Sequence, residues 1–127
     1  MIKTTVRSFG HAKRGFQKAL KEERNFRLFL SGFIALLVVS SLFNVERWQT
    51  VALALAGGFF LSIELLNTAL EHLTDCVDEL RVAGSVSEEY HAGLRATKDV
   101  AAAASLVSFI VILIVIVLIL FPAVMGQ

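Results

Sequence analysis

Between Ile2 and Leu20 the apolar residues Ile2, Val6, Phe9, Phe16 and Leu20 recur at roughly helical spacing, while Lys3, Arg7, Arg14, Lys18 and Lys21 fall largely on other sides. The pattern predicts an amphipathic helix over residues 1–27 lying on a membrane surface, since a basic amphipathic helix binds anionic headgroups through both area and charge. A mobile basic arm is the plainer alternative. The pattern then changes. Leu28 to Phe43 is largely apolar, about 24 Å long as a helix, which is short for a hydrocarbon core of ~30 Å. Arg27 can snorkel at one end, and Asn44 and Val45 can lengthen the other, so a first span is expected over 28–45. Asn44 to Arg47 leaves room only for a tight connection. Trp48 then stands where an interfacial anchor would open a second span, 48–70. Val100 to Phe121 carries no charge and makes about 33 Å of helix, predicting a third span over 99–121 that Pro122 ends.

Composition agrees with this reading. The chain has 127 residues, 56% of them hydrophobic, and one proline. A soluble domain of this size could not bury that much apolar surface, so the bilayer must solvate it. The expected fold is therefore all-α: one integral membrane domain, 1–127, with an N-terminal surface helix and three transmembrane helices. The single cysteine, Cys76, has no second thiol for a disulfide or a cysteine zinc site and reads as packing. The first 27 residues lack the apolar stretch of a secretory signal, so the N-terminus is expected to be retained. Basic residues crowd the arm (Lys3, Arg7, Lys13, Arg14, Lys18, Lys21, Arg24, Arg27), whereas the short turn has only Arg47 and none follows Phe121. Positive charge on the inside then makes the arm and the 71–98 connector cytoplasmic, with the short turn and the C-terminus outside.

The candidate chemistry lies in the second span. Glu64, Asn67 and Glu71 stand at i, i+3 and i+7. At about 100° per residue, Glu71 returns to within about 20° of Glu64 and Asn67 lies within about 60°, so the three share a stripe that Asp75 and Asp78 continue. Counted from Trp48, Glu64 is roughly 24 Å along a ~30 Å core. An ionised, unpaired carboxylate there costs about 2.5 kcal/mol or more, which marks a functional site and suits a general base. Polar glue between helices is the plainer reading. Glu71, at the interface, could share a divalent ion with Glu22 or Glu23 and with phosphate oxygens, because Mg²⁺ takes few protein carboxylates. Glu88, Glu89, Tyr90 and His91, followed by Arg95, Lys98 and Asp99, place phosphate-binding cations and a flat ring at the mouth of the third span. Ser85 and Glu88 also fit a capping box, a purely structural reason for part of that cluster. No GxxxxGK[ST] or GxGxxG loop occurs.

These residues resemble the small prokaryotic diacylglycerol kinase and undecaprenol kinase family of three-span membrane enzymes. The resemblance is carried by Arg14-Gly15-Phe16, Glu23, Asn25-Phe26-Arg27, Glu64-Leu65-Leu66-Asn67-Thr68-Ala69-Leu70-Glu71, Tyr90-His91 and Lys98-Asp99-Val100-Ala101. It implies phosphoryl transfer from ATP, with Mg²⁺, to a membrane lipid hydroxyl at the cytoplasmic face of a bacterial inner membrane, by a homotrimer whose sites combine neighbouring subunits. Carried over by motif, Glu64 is the base and Asn67 its support, and Glu23 and Glu71 are the metal ligands. Glu89, Tyr90, His91, Lys98 and Asp99 bind the nucleotide, and Asn25, Phe26 and Arg27 line the lipid's route in. Three features depart from the family pattern. The stretch between Glu71 and Tyr90 is longer, with Asp78 to Ser87 as the extra residues; His11 replaces a common aromatic; and Phe29 stands where some diacylglycerol-using members carry an acid. Asn25-Phe26-Arg27 leans toward the undecaprenol-using branch. Two rival classes are an ion or proton carrier using Glu64 and its neighbouring acids, and an assembly factor packed through Gly57-Gly58.

Overall fold

A computed structural model describes residues 2–43, 45–82 and 88–126, with side chains for 7, 9–43, 45–79 and 93–126. Its regular structure among those residues is entirely helical: α1 (Ile2–Glu22), α2 (Arg24–Leu42), α3 (Arg47–Val82) and α4 (Glu88–Met125). Three helices, α2, α3 and α4, are long and apolar enough to cross a membrane. Each presents large apolar side chains outward, such as Leu28, Val38 and Leu42 on α2, Leu55, Phe59 and Leu66 on α3, and Val107, Ile114 and Leu118 on α4. So much exposed apolar surface is stable only against lipid or another apolar body. The protein is a multi-pass membrane protein.

The chain turns from α1 to α2 at Glu23, the one residue there in an extended conformation. Arg27 fixes that turn. Its guanidinium donates to the carbonyls of Leu20 and Lys21, at 3.2 and 2.9 Å, satisfying acceptors that the end of α1 leaves open. Arg27 therefore caps the end of α1. Phe26, 1% exposed, is the centre of a small core with Ala19 of α1 and Leu61 of α3, and Phe16 meets its ring edge-on at 5.5 Å. Phe29, Phe60 and Phe109 bring one ring each from α2, α3 and α4 to within 5.0–5.9 Å of one another, tying the three spans together.

Helix α3 opens with a local cap: the backbone N–H of Glu46 donates to Gln49 Oε1 at 3.0 Å, and Trp48 Nε1 donates to Glu46 Oε2 at 2.5 Å. Ten residues into the helix, the ring of Phe33 lies where a Cβ of Gly57 would be, so a residue without a side chain is what lets α2 approach. Gly58 has open space instead. Helices α3 and α4 pack against each other more extensively than any other pair. Both run past the expected spans, since residues 71–82 and 88–98 of the connector are helical. The capping box at Ser85 lies outside the described residues. Pro122 does not end α4, which continues to Met125. In the last turn a proline removes only one bond near a frayed end, and the helix closes at Gly126, whose φ of 75° favours glycine.

Candidate functional site

Along α4 the buried positions Ala101, Ser105, Ser108 and Ile112 recur at i, i+4, i+7 and i+11 and form the face turned to α3. Opposite them stands Glu64 of α3, only 7% exposed. Ser105 Oγ donates to Glu64 Oε2, a buried hydrogen bond between residues of different helices. The contrast with the other hydroxyls is plain. Ser31, Ser40, Ser41, Ser62, Thr74, Thr97 and Ser108 all donate to carbonyls three or four residues back in their own helices. Ser105 alone among these hydroxyls reaches another helix.

One turn along α3 from Glu64, Asn67 Nδ2 donates to Glu71 Oε1 at 3.3 Å, while the Asn67 amide oxygen is buried and has no hydrogen-bond partner among the described residues. A buried oxygen left without a donor is unusual and carries a desolvation cost, so it points to something the site takes up. The next residue, His72, meets Glu23 across the groove: His72 Nε2 lies 3.0 Å from Glu23 Oε1, tying α3 to the α1–α2 turn. The two acids of the arm thus part company. Glu23 faces α3, whereas Glu22 is exposed and pairs within α1 with Lys18 at 3.7 Å. A groove of about 950 Å³ runs between α1 and α3, mostly apolar, with Phe9, Phe16, Leu65 and Ala69 on its walls and Lys13, Lys18, Glu23 and His72 among its polar groups.

Lys98 of α4 pairs with Asp75 of the acidic stripe at 2.8 Å, joining α3 and α4 one turn beyond Glu71 on α3 and two turns before Ser105 on α4. Asp99 is exposed beside it. The backbone of Glu89, Tyr90 and His91 forms the first turn of α4, and their side chains lie outside the described residues. Asn25 is exposed at the start of α2, but Phe26 is in the core and Arg27 is engaged with α1, so two of the three residues expected along a lipid route have structural duties. The structure thus brings Glu64, Asn67 and Glu71 together on one helix face and sets Glu23 against the same helix. It also adds two residues that sequence reasoning did not single out for the site, Ser105 and His72. A pair of serines, Ser105 and Ser108, in an otherwise apolar and uncharged span was the available hint of the first.

Residues 10–120 match the prokaryotic diacylglycerol kinase family. An undecaprenol kinase of Bacillus subtilis (strain 168) is 35% identical over 118 residues, which cover 91% of this chain and 87% of that protein. A diacylglycerol kinase of Synechocystis sp. is 34% identical over 108 residues, covering 85% of this chain and 57% of that protein. With a match over most of its length and a 35% identical relative aligned nearly end to end, the chain belongs to the prokaryotic diacylglycerol kinase family.

Proposed function

We propose that this chain transfers the γ-phosphate of MgATP to the hydroxyl of a membrane lipid, diacylglycerol or undecaprenol, at the cytoplasmic face of a bacterial inner membrane. As a member of its family it is a lipid kinase. The observation that carries the mechanism is the buried carboxylate of Glu64, held inside the bundle with Asn67 and Glu71 following it along one face of α3. In this reading Glu64 takes the proton of the lipid hydroxyl as that oxygen bonds to the γ-phosphorus. The bond from the γ-phosphorus to the bridging oxygen breaks, and ADP leaves. Such a transfer needs mainly positioning and charge neutralisation.

Glu23 and Glu71 would hold Mg²⁺. Both offer hard oxygen donors, the unpartnered amide oxygen of Asn67 lies beside Glu71, and Mg²⁺ asks for only one or two protein carboxylates. When bound, the ion would offset charge on the transferring phosphoryl group. Lys98, Asp99, Glu89, Tyr90 and His91 would bind ATP, with Lys98 exchanging Asp75 for phosphate. Asn25 to Arg27 would border the lipid's route, Asn25 by contact and the other two by shaping the turn. The arm would lie on the membrane surface, and the arm and connector would face the ATP pool. A homotrimer with sites completed by neighbouring subunits is part of the proposal.

The carrier alternative has little support here. Between Trp48 and Glu64 the buried positions of α3 are Leu53, Gly57, Phe60 and Leu61, which offer a cation no oxygen side chains. The deciding test is transfer of labelled γ-phosphate from ATP in mixed micelles to diacylglycerol and to undecaprenol, separately and in competition. Label is expected in at least one lipid, and the preferred acceptor identifies the enzyme. Transfer to neither, by folded protein, would end this proposal.

A further inference from the structure

We propose that Ser105 is a positioning residue for the base, its hydroxyl clamping the Glu64 carboxylate in the orientation that accepts the lipid's proton; this rests on the reading of Glu64 as base. A glutamate side chain turns about three bonds, and between apolar helices little except a directed hydrogen bond can fix its carboxylate plane. Ser105 supplies that bond. It sits on the face of α4 packed against α3, next to Ala101 one turn earlier, whose small side chain lets the helices come close.

The geometry is not what a serine in a helix does by default. Carbonyls of its own preceding turn lie within reach and usually capture the hydroxyl. Ser108, one turn on, donates in that way to the Ser105 carbonyl at 2.8 Å. Ser105 donates across the interface instead, giving Glu64 its one hydrogen bond among the described residues. With Oε2 engaged, Oε1 is the oxygen left to take the proton. The hydroxyl also offsets part of the cost of holding a carboxylate away from water.

Three variants test this. S105A should lower kcat about tenfold, the order expected when a hydrogen bond to a charged group is lost, with KM for MgATP and lipid unchanged and the protein, though somewhat less stable, still folded at the assay temperature. S105T, which restores a hydroxyl, should recover most of the rate. In an E64Q background, S105A should add no further loss, since the two residues act as one unit. A readout independent of turnover is the infrared carboxylate band of ¹³C-glutamate-labelled protein, which should move in S105A and hold in S105T. An unmoved band, wild-type kcat in S105A, or loss that tracks the thermal midpoint in both serine variants would overturn the clamp while leaving the kinase reading intact. Wild-type turnover in E64Q would instead remove Glu64 as the base, and the clamp with it.

Discussion

Glu71 and Glu23 enter the site by different routes, and the difference bears on how each can bind a cation. Glu71 accepts from Asn67 on its own helix, so the two move together and keep one geometry whatever α1 does. Glu23 sits at the break between α1 and α2 and is steadied by His72 from α3, a contact that depends on how the arm is docked. If both are ligands, loss of Glu71 should weaken metal binding through a rigid position. Glu71→Gln is therefore expected to raise the half-saturating Mg²⁺ concentration by about tenfold or more, since even groups that only orient a metal ligand are worth ~10–100-fold in affinity. Titrating kinase activity against free Mg²⁺ checks this, and an unchanged curve would take Glu71 out of the metal site. The stripe of acids was visible in the sequence because its members lie within a few turns of one helix, where spacing alone sets the face. Ser105 and Glu64 are 41 positions apart, and His72 and Glu23 are 49 apart. No local periodicity reports pairs like these, which exist only once the packing angle and register of the helices are set.

The helices show the same division. The three apolar runs could be read directly, because the length of an uncharged stretch is itself the physical requirement for crossing a bilayer. Which glycine of the Gly57-Gly58 pair carries the packing could not be read, since that depends on the rotation of α3 and on the side from which α2 approaches. Phe33 makes the choice, and it rests on Gly57. The expectation at Pro122 failed for a related reason: a proline breaks a helix in its interior, and only the structure shows that this one lies in a final turn. For the glycines the consequence is measurable. Gly57→Ala puts a methyl into the Phe33 ring and should destabilise the protein by about 1–3 kcal/mol, the range for overpacking. Gly58→Ala meets open space and should be neutral or gain up to ~1 kcal/mol from helix propensity. Unfolding both variants in detergent micelles gives the comparison, and equal stability of the two would refute the α2–α3 contact at Gly57.

At the scale of the whole molecule, the long helices decide where the site stands relative to the membrane. Helix α3 has 36 residues and is about 54 Å long, well beyond a ~30 Å hydrocarbon core. If Trp48 marks one boundary, the core ends near Thr68, about two turns before Cys76, leaving Glu71, His72 and Asp75 at or outside the far interface while Glu64 remains within it. A water-borne phosphoryl donor and a membrane-bound acceptor would then meet between Glu71 and Glu64, which is the arrangement a lipid kinase requires. The proposed orientation puts that interface on the side carrying the basic arm. Cys76 is exposed and is the chain's only cysteine, so the native protein carries its own reporter of sidedness. In sealed vesicles of known orientation, a membrane-impermeant maleimide is expected to label Cys76 only when the cytoplasmic face is outward, and externally added ATP should support lipid phosphorylation in those same vesicles. Labelling from the opposite side would invert the topology and place Glu71 and the arm where cytoplasmic ATP cannot reach them.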